Sequence, residues 1–228
     1  MAITTILLLL LVFRVLYALP RRTYYLACRC CCYARHRASS KQSTTHNTNT
    51  IRLLIVLGSG GHTAEMLTFL SAFHHPRLKS VAFFLAKTDN HSEKKARGWI
   101  ASRNCQDLDV TFHKITRSRE VGQSWCSTVF TTVLGVYETI ARYYTIRPDL
   151  VLCNGPGTCL PVVYCGFVGK VLGLSSHTKL IFVESFARVK SLSLTGWLVY
   201  LFVDRFVVQW KELQDKWPRG TEYIGKIF

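Results

Sequence analysis

From Ile51 onward the chain alternates short apolar runs with longer stretches in which apolar residues return every three or four positions. The short runs, bounded by Gly, Asn or charged residues, read as buried strands, and the periodic stretches read as amphipathic helices. The pattern predicts strands near 53–57, 80–86, 110–115, 150–153, 179–183 and 205–209, and helices near 62–74, 92–102, 124–146, 157–172 and 194–202. Alternation of this kind argues for a parallel sheet covered by helices on both faces, an α/β fold of Rossmann-like type over 51–209. No further unit is evident after Gln209, so 210–228 reads as a C-terminal tail. Its apolar end, Tyr223-Ile224-Gly225-Lys226-Ile227-Phe228, is the kind of terminus that docks, either on its own domain or on a partner.

Ahead of the alternation, Ala2 to Leu19 is apolar except for two threonines and Arg14, close to the roughly 17–25 residues a bilayer requires. Arg14 sits near one end, where it can snorkel. No basic residue precedes the apolar core, and Leu19-Pro20-Arg21-Arg22 is a poor cleavage site, so 2–20 reads as a retained transmembrane anchor. Residues 21–50 form a basic, Cys-rich juxtamembrane segment and a polar linker, and Arg21, Arg22, Arg29, Arg35, Arg37 and Lys41 place the domain in the cytosol. Cys28, Cys30, Cys31 and Cys32 suit reversible palmitoylation or are plain surface thiols; C-x-C-C-C is too cramped for one tetrahedral zinc site.

Composition narrows the partners. The chain carries 29 Lys+Arg against 13 Asp+Glu, a net charge of +16, which favours nucleic acid, acidic lipid or a phosphorylated substrate. The basic residues are dispersed and form no aromatic-basic module, so nucleic acid is not expected. Nine cysteines, an odd number, agree with a reducing compartment. Cys105, Cys126, Cys153, Cys159 and Cys165 read as small core residues.

Ligand groups on such a sheet gather just after the strand ends, and three polar clusters occur there. Gly58-Ser59-Gly60-Gly61-His62-Thr63 follows the first strand, Asn154-Gly155-Pro156-Gly157-Thr158 the fourth, and Glu184-Ser185-Phe186-Ala187-Arg188 the fifth. Glycines at a strand-to-helix turn expose backbone N–H groups at the positive end of the helix dipole, which suits phosphate. The same residues would also serve if the glycines only allowed close packing, Pro156 and Gly157 set an ordinary turn, and Glu184 and Arg188 formed a buried ion pair. Three clusters at three strand ends favour a site.

The first turn lacks the sixth-position glycine of the dinucleotide fingerprint and the Gly-Lys-Ser/Thr of a Walker loop. The second strand ends at Lys87 and not at an acid, which disfavours NAD. Lys87 would fit the 2′-phosphate of NADP in a membrane-anchored oxidoreductase, yet none of the ten tyrosines has a lysine four positions on. A non-enzymatic membrane scaffold needs only the anchor and the tail. Asp107-Leu108-Asp109 precedes a strand and reads as a turn.

Together, Gly58-Ser59-Gly60-Gly61-His62-Thr63-Ala64-Glu65, Asn154-Gly155-Pro156-Gly157-Thr158 and Glu184-Ser185-Phe186-Ala187-Arg188, downstream of one N-terminal span, resemble the membrane-anchoring subunit of the two-subunit UDP-N-acetylglucosamine transferase of dolichol-linked oligosaccharide synthesis. The resemblance runs from about Leu53 to Phe228. That family is similar to the N-terminal half of bacterial lipid-linked N-acetylglucosaminyltransferases of the GT-B type. It implies that a separate, small cytosolic catalytic subunit carries most of the UDP-N-acetylglucosamine site, and that this chain anchors it at the endoplasmic reticulum membrane and binds the dolichol-diphosphate-linked acceptor. It also implies that Tyr223, Ile224, Ile227 and Phe228 bind the partner. The acceptor diphosphate would be held by Gly58, Ser59, Gly60, Gly61, Thr63, Asn154, Gly155, Gly157, Thr158 and Arg188. His62 is the candidate base, of a side-chain type that exchanges protons near neutral pH, and Glu184 would orient the sugar or the base. Neither a metal nor another cofactor is expected.

Overall fold

The computed structural model describes residues 50–72, 78–102, 108–117, 124–155 and 157–225. The anchor 2–20, the juxtamembrane cysteines, Pro156, Ile227 and Phe228 lie outside the described residues. Among the described residues no helix is long and apolar enough to cross a membrane.

The elements run β1 (Ile51–Val56), α1 (Gly61–Ala72), β2 (Leu78–Ala86), α2 (Asn90–Ser102), β3 (Asp109–Ile115), α3 (Trp125–Ile146), β4 (Leu150–Asn154), α4 (Cys159–Val171), β5 (Lys179–Val183), α5 (Leu194–Val199), β6 (Arg205–Val208), α6 (Lys211–Lys216) and β7 (Thr221–Tyr223). The strands form one seven-stranded sheet in the order β3-β2-β1-β4-β5-β6-β7. Every neighbouring pair is parallel. The strand order reverses between β1 and β4, and the loops leaving those two strands depart to opposite sides there. A doubly wound sheet opens its ligand crevice at that point.

The apolar runs form central strands because both faces of the sheet are covered, so successive side chains bury on opposite sides. In β1, Leu54 and Val56 join one core with Tyr143 of α3, Val162 of α4 and Val199 of α5. Leu53 and Ile55 join the other with Met66 and Leu70 of α1 and Ala96 of α2. The edge strand β3 is only half-buried and more polar; Arg97 of α2 lies 4.3 Å over the Phe112 ring. Helix α3 starts at an N-cap, Ser124, whose side chain accepts from Ser127 N–H. It ends where Arg147 takes a left-handed conformation and donates its N–H to Tyr143 O, satisfying one of the helix's last carbonyls. Cys153, Cys159 and Cys165 are buried free thiols, small core residues as the pattern suggested.

The expected helix over 194–202 is shorter, stopping at Val199. The alternation also does not run out near Gln209. A further helix, α6, buries Leu213, and β7 pairs in register with β6, so 210–223 continues the α/β domain, with 221–223 in the sheet. The signal was weak because β7 has three residues and a mixed burial pattern, too short for periodicity to register.

Candidate functional site

Three of the four loops leaving β1, β4, β5 and β6 at the C-terminal edge carry the clusters singled out in the sequence. The turn after β1 is left-handed at Gly60, with φ +65°, and helix α1 begins at Gly61. A Cβ added at either glycine would meet nothing within 4 Å, so the space above both backbones is open. Ser59, Gly60 and Gly61 are exposed, while Gly58 is buried. The first N–H groups of a helix have no partner within the helix and point out of its N-terminus.

Thr63 faces inward. Its hydroxyl is fully buried, donates to Gly58 O and lies 2.6 Å from Ser92 Oγ. Ser92 Oγ in turn reaches Asp89 Oδ2 at 2.6 Å, and Asp89 Oδ1 accepts from Ser92 N–H at 3.0 Å. These bonds tie the glycine turn to the start of α2. The Thr63 hydroxyl therefore braces the turn from below and is engaged within the protein, not presented to a diphosphate. Thr158 is likewise buried, with a hydroxyl that finds no partner among the described residues.

His62, in the first turn of α1, reaches across the switch point to the end of β4. Its Nδ1 lies 3.0 Å from Asn154 Oδ1. Asn154 Nδ2 donates to Glu65 Oε2 at 3.1 Å, and Glu65 Oε1 accepts from Ser185 Oγ at 3.0 Å. Glu65 Oε2 also accepts from Phe186 N–H at 3.4 Å, and it stands 3.9 Å from His62 Nδ1. Residues after β1 and β5 and the last residue of β4 are thus drawn into one chain of hydrogen bonds. The His62 side chain is 33% exposed and the Glu65 side chain 14%, so the imidazole meets solvent while the acid beneath it is largely covered. Gly155, with φ +86°, lies against the ring: a Cβ there would fall 2.4 Å from Nδ1.

Glu184 does not share in this cluster. It is fully buried at the end of β5. Its Oε1 accepts from Ser185 N–H at 3.1 Å, and its Oε2 from Ser193 N–H at 2.9 Å and Ser193 Oγ–H at 3.2 Å. Ser193 is also the N-cap of α5, accepting from Gly196 N–H. Burial pushes the Glu184 carboxyl above its usual range, against those hydrogen bonds and the distant charge of Arg188. The acid anchors the β5–α5 loop, and it is Glu65, not Glu184, that the structure brings to the imidazole. Nor do Glu184 and Arg188 form the buried ion pair considered above: Arg188 is exposed on the loop surface, and its N–H bonds Ser185 O. Trp210 Nε1–H steadies the same loop by donating to Phe186 O at 2.6 Å.

Lys87, the residue that would serve an NADP 2′-phosphate, instead contacts Glu138 of α3. Burial raises the Glu138 carboxyl, but the bonds from Lys87 and from Thr116 outweigh it and hold the group below its ordinary value. Among the described residues no cluster of His, Cys, Asp and Glu is arranged to hold a metal ion. What the sequence reading missed was Glu65. It sits three residues after His62, and residues at i and i+3 share a helix face, so an acid at that spacing from a first-turn histidine was the available signal.

The family described as "Oligosaccharide biosynthesis protein Alg14 like" matches residues 53–227. Relatives named UDP-N-acetylglucosamine transferase subunit ALG14 include one from Rattus norvegicus, 40% identical over 186 residues, covering 78% of this chain and 83% of the relative. The Homo sapiens protein of that name is 38% identical with the same coverage. The Schizosaccharomyces pombe protein is 43% identical over 178 residues, covering 77% of this chain and 82% of its own. Among solved structures, the crystal structure of Acinetobacter baumannii MurG superposes with a TM-score of 0.49 at 12% identity, covering 78% of this chain and 44% of that one. With a family match over three-quarters of its length and relatives near 40% identity, the chain belongs to the Alg14-like family of oligosaccharide biosynthesis proteins.

Proposed function

We propose that the chain is the acceptor-binding, membrane-anchoring subunit of a UDP-N-acetylglucosamine transferase. In this reading it joins a small cytosolic catalytic subunit at the endoplasmic reticulum membrane, and the pair adds the second N-acetylglucosamine to N-acetylglucosaminyl-diphosphodolichol. The observation that carries it is the meeting of two glycine turns and a partly exposed histidine at the sheet's switch point, in a chain whose relatives bear that transferase name. A GT-B transferase needs two Rossmann-like domains; the described residues form one sheet, and in this reading the partner supplies the donor half. Exposed apolar side chains on the layer formed by α3 and α5, among them Phe130, Val133, Tyr137, Leu194 and Trp197, support a place against a bilayer or a partner rather than free in solvent.

The acceptor diphosphate sits over Gly60 and Gly61, where open space meets the first N–H groups of α1, which have no partner within the helix. Arg188 and the charge of the domain add attraction. The 4-hydroxyl of the acceptor sugar then attacks C1 of UDP-N-acetylglucosamine with inversion; the new C1–O bond forms as the bond to UDP breaks, and the hydroxyl proton passes to His62 Nε2. In the assembled transferase, His62→Ala lowers kcat by about 10²–10⁴-fold with acceptor KM and partner binding little changed. A rise in acceptor KM with kcat near wild type would instead assign His62 to passive phosphate binding.

A further inference from the structure

We infer that Glu65 is a positioning residue that sets the tautomer and aim of His62, acting through the Asn154 amide. The inference deepens the reading of His62 as base and rests on it. A carboxylate only accepts, so the Asn154 side chain must turn its NH₂ toward Glu65 Oε2, at 3.1 Å, and therefore its carbonyl toward His62. A carbonyl also only accepts. His62 Nδ1, 3.0 Å from Asn154 Oδ1, must then carry the proton. The lone pair is left on Nε2, the atom that a base in the crevice has to present. The logic is that of a carboxylate orienting a histidine, with an amide inserted between the two.

The carboxylate is itself held. Ser185 Oγ–H at 3.0 Å and Phe186 N–H at 3.4 Å engage Glu65 from the β5 loop, so it cannot swing to bond the imidazole directly. Gly155 closes the other side, since any side chain there would strike the ring. As His62 takes up a proton, the Glu65 carboxylate 3.9 Å from Nδ1 faces the new positive charge in a largely covered setting, where the attraction is less screened than at the surface. Without Glu65 the Asn154 amide can rotate by half a turn and offer its NH₂ to the ring. That arrangement puts the lone pair on Nδ1 and the proton on Nε2, which disables the base without removing it.

The test uses the full chain assembled with its partner subunit, assayed with UDP-N-acetylglucosamine and a lipid-diphosphate acceptor. Glu65→Gln lowers kcat by about 10–100-fold, the size usual when an outer partner that orients a functional histidine is lost. Acceptor KM stays within about twofold, because the glycine turn is untouched. In a His62→Ala background the same substitution has no further effect on kcat, since residues that act as a unit are not additive. Histidine ¹⁵N spectra, with the His62 signal identified by its loss in His62→Ala, show the Nδ1–H tautomer in the wild type and a tautomer mixture in Glu65→Gln. Co-purification with the partner and an unchanged melting temperature confirm that the variant is folded. If it is not, Asn154→Leu, which removes the relay and keeps Glu65, gives the same spectral change. Additive losses, or an unchanged tautomer, would overturn the positioning role and leave Glu65 a structural tie. Near-wild-type kcat for His62→Ala would overturn the base reading instead, and the spectra would still decide what Glu65 does to the ring.

Discussion

At position 155 the backbone takes φ +86°, and an added Cβ would lie 2.4 Å from His62 Nδ1. Gly155→Ala therefore costs twice, in strain at a positive φ and in displacing the ring from Asn154. It should lower both the melting temperature and kcat of the assembled transferase. Gly61 offers the opposite case. Its Cβ would meet nothing, and alanine is a better helix former than glycine at the start of α1. Gly61→Ala should thus leave the melting temperature unchanged or raised, yet raise the acceptor KM severalfold, because the methyl group projects toward the space assigned to the diphosphate. An unchanged KM would mean that the phosphate sits elsewhere. Comparing the two variants separates a glycine needed by the fold from one needed by the ligand.

Among the elements, the β5–α5 connection depends on Glu184, which joins the end of β5 to the N-cap of α5. Gly196 lies so close that a Cβ would fall 2.3 Å from Glu184 Oε2, which is why the first turn of α5 is bare there. Because burial raises the carboxyl, the folded chain holds this proton more tightly than the unfolded one does. The stabilisation linked to that proton is full below the ordinary glutamate value of about 4.3 and is lost as pH rises through the higher folded value. Glu184→Gln cannot titrate. The difference in unfolding free energy between wild type and Glu184→Gln, measured by denaturant melts from about pH 4 to about pH 8, should shrink as pH rises. A difference that grows would show that the Ser193 and Ser185 hydrogen bonds dominate over burial.

At the scale of the molecule, the seventh strand changes what the C-terminus can do. β7 is an edge strand, and Tyr223 at its end and Ile224 just beyond it are 40% and 48% exposed, so two apolar side chains stand at an edge where a partner could add. Truncation before Ile224 spares β7 and should release the partner subunit into the soluble fraction while this chain stays with the membrane. The same truncated chain, given a glycosylation acceptor site in the 38–50 linker, should remain unmodified in microsomes if the domain faces the cytosol. Retained co-sedimentation of the partner would remove the tail from the interface, and modification of the tag would reverse the topology.

The amino-acid sequence by itself determined the order and type of the elements from β1 to β6, because buried strands of a doubly covered sheet are continuous apolar runs and amphipathic helices keep a 3.6-residue period. It also marked the three loop clusters at strand ends, since glycine, proline and capping residues act locally. Only the tertiary structure decided which groups in those clusters meet. His62 and Asn154 are 92 residues apart and Glu65 and Ser185 are 120 apart, and pairings at that distance follow from strand order, which local periodicity does not encode. Strand order brought β1 and β4 side by side, turned Thr63 inward and Glu184 away, and set Glu65 beneath the histidine. It also gave the short β7 a neighbour, a strand whose three residues hold their place only through pairing with β6.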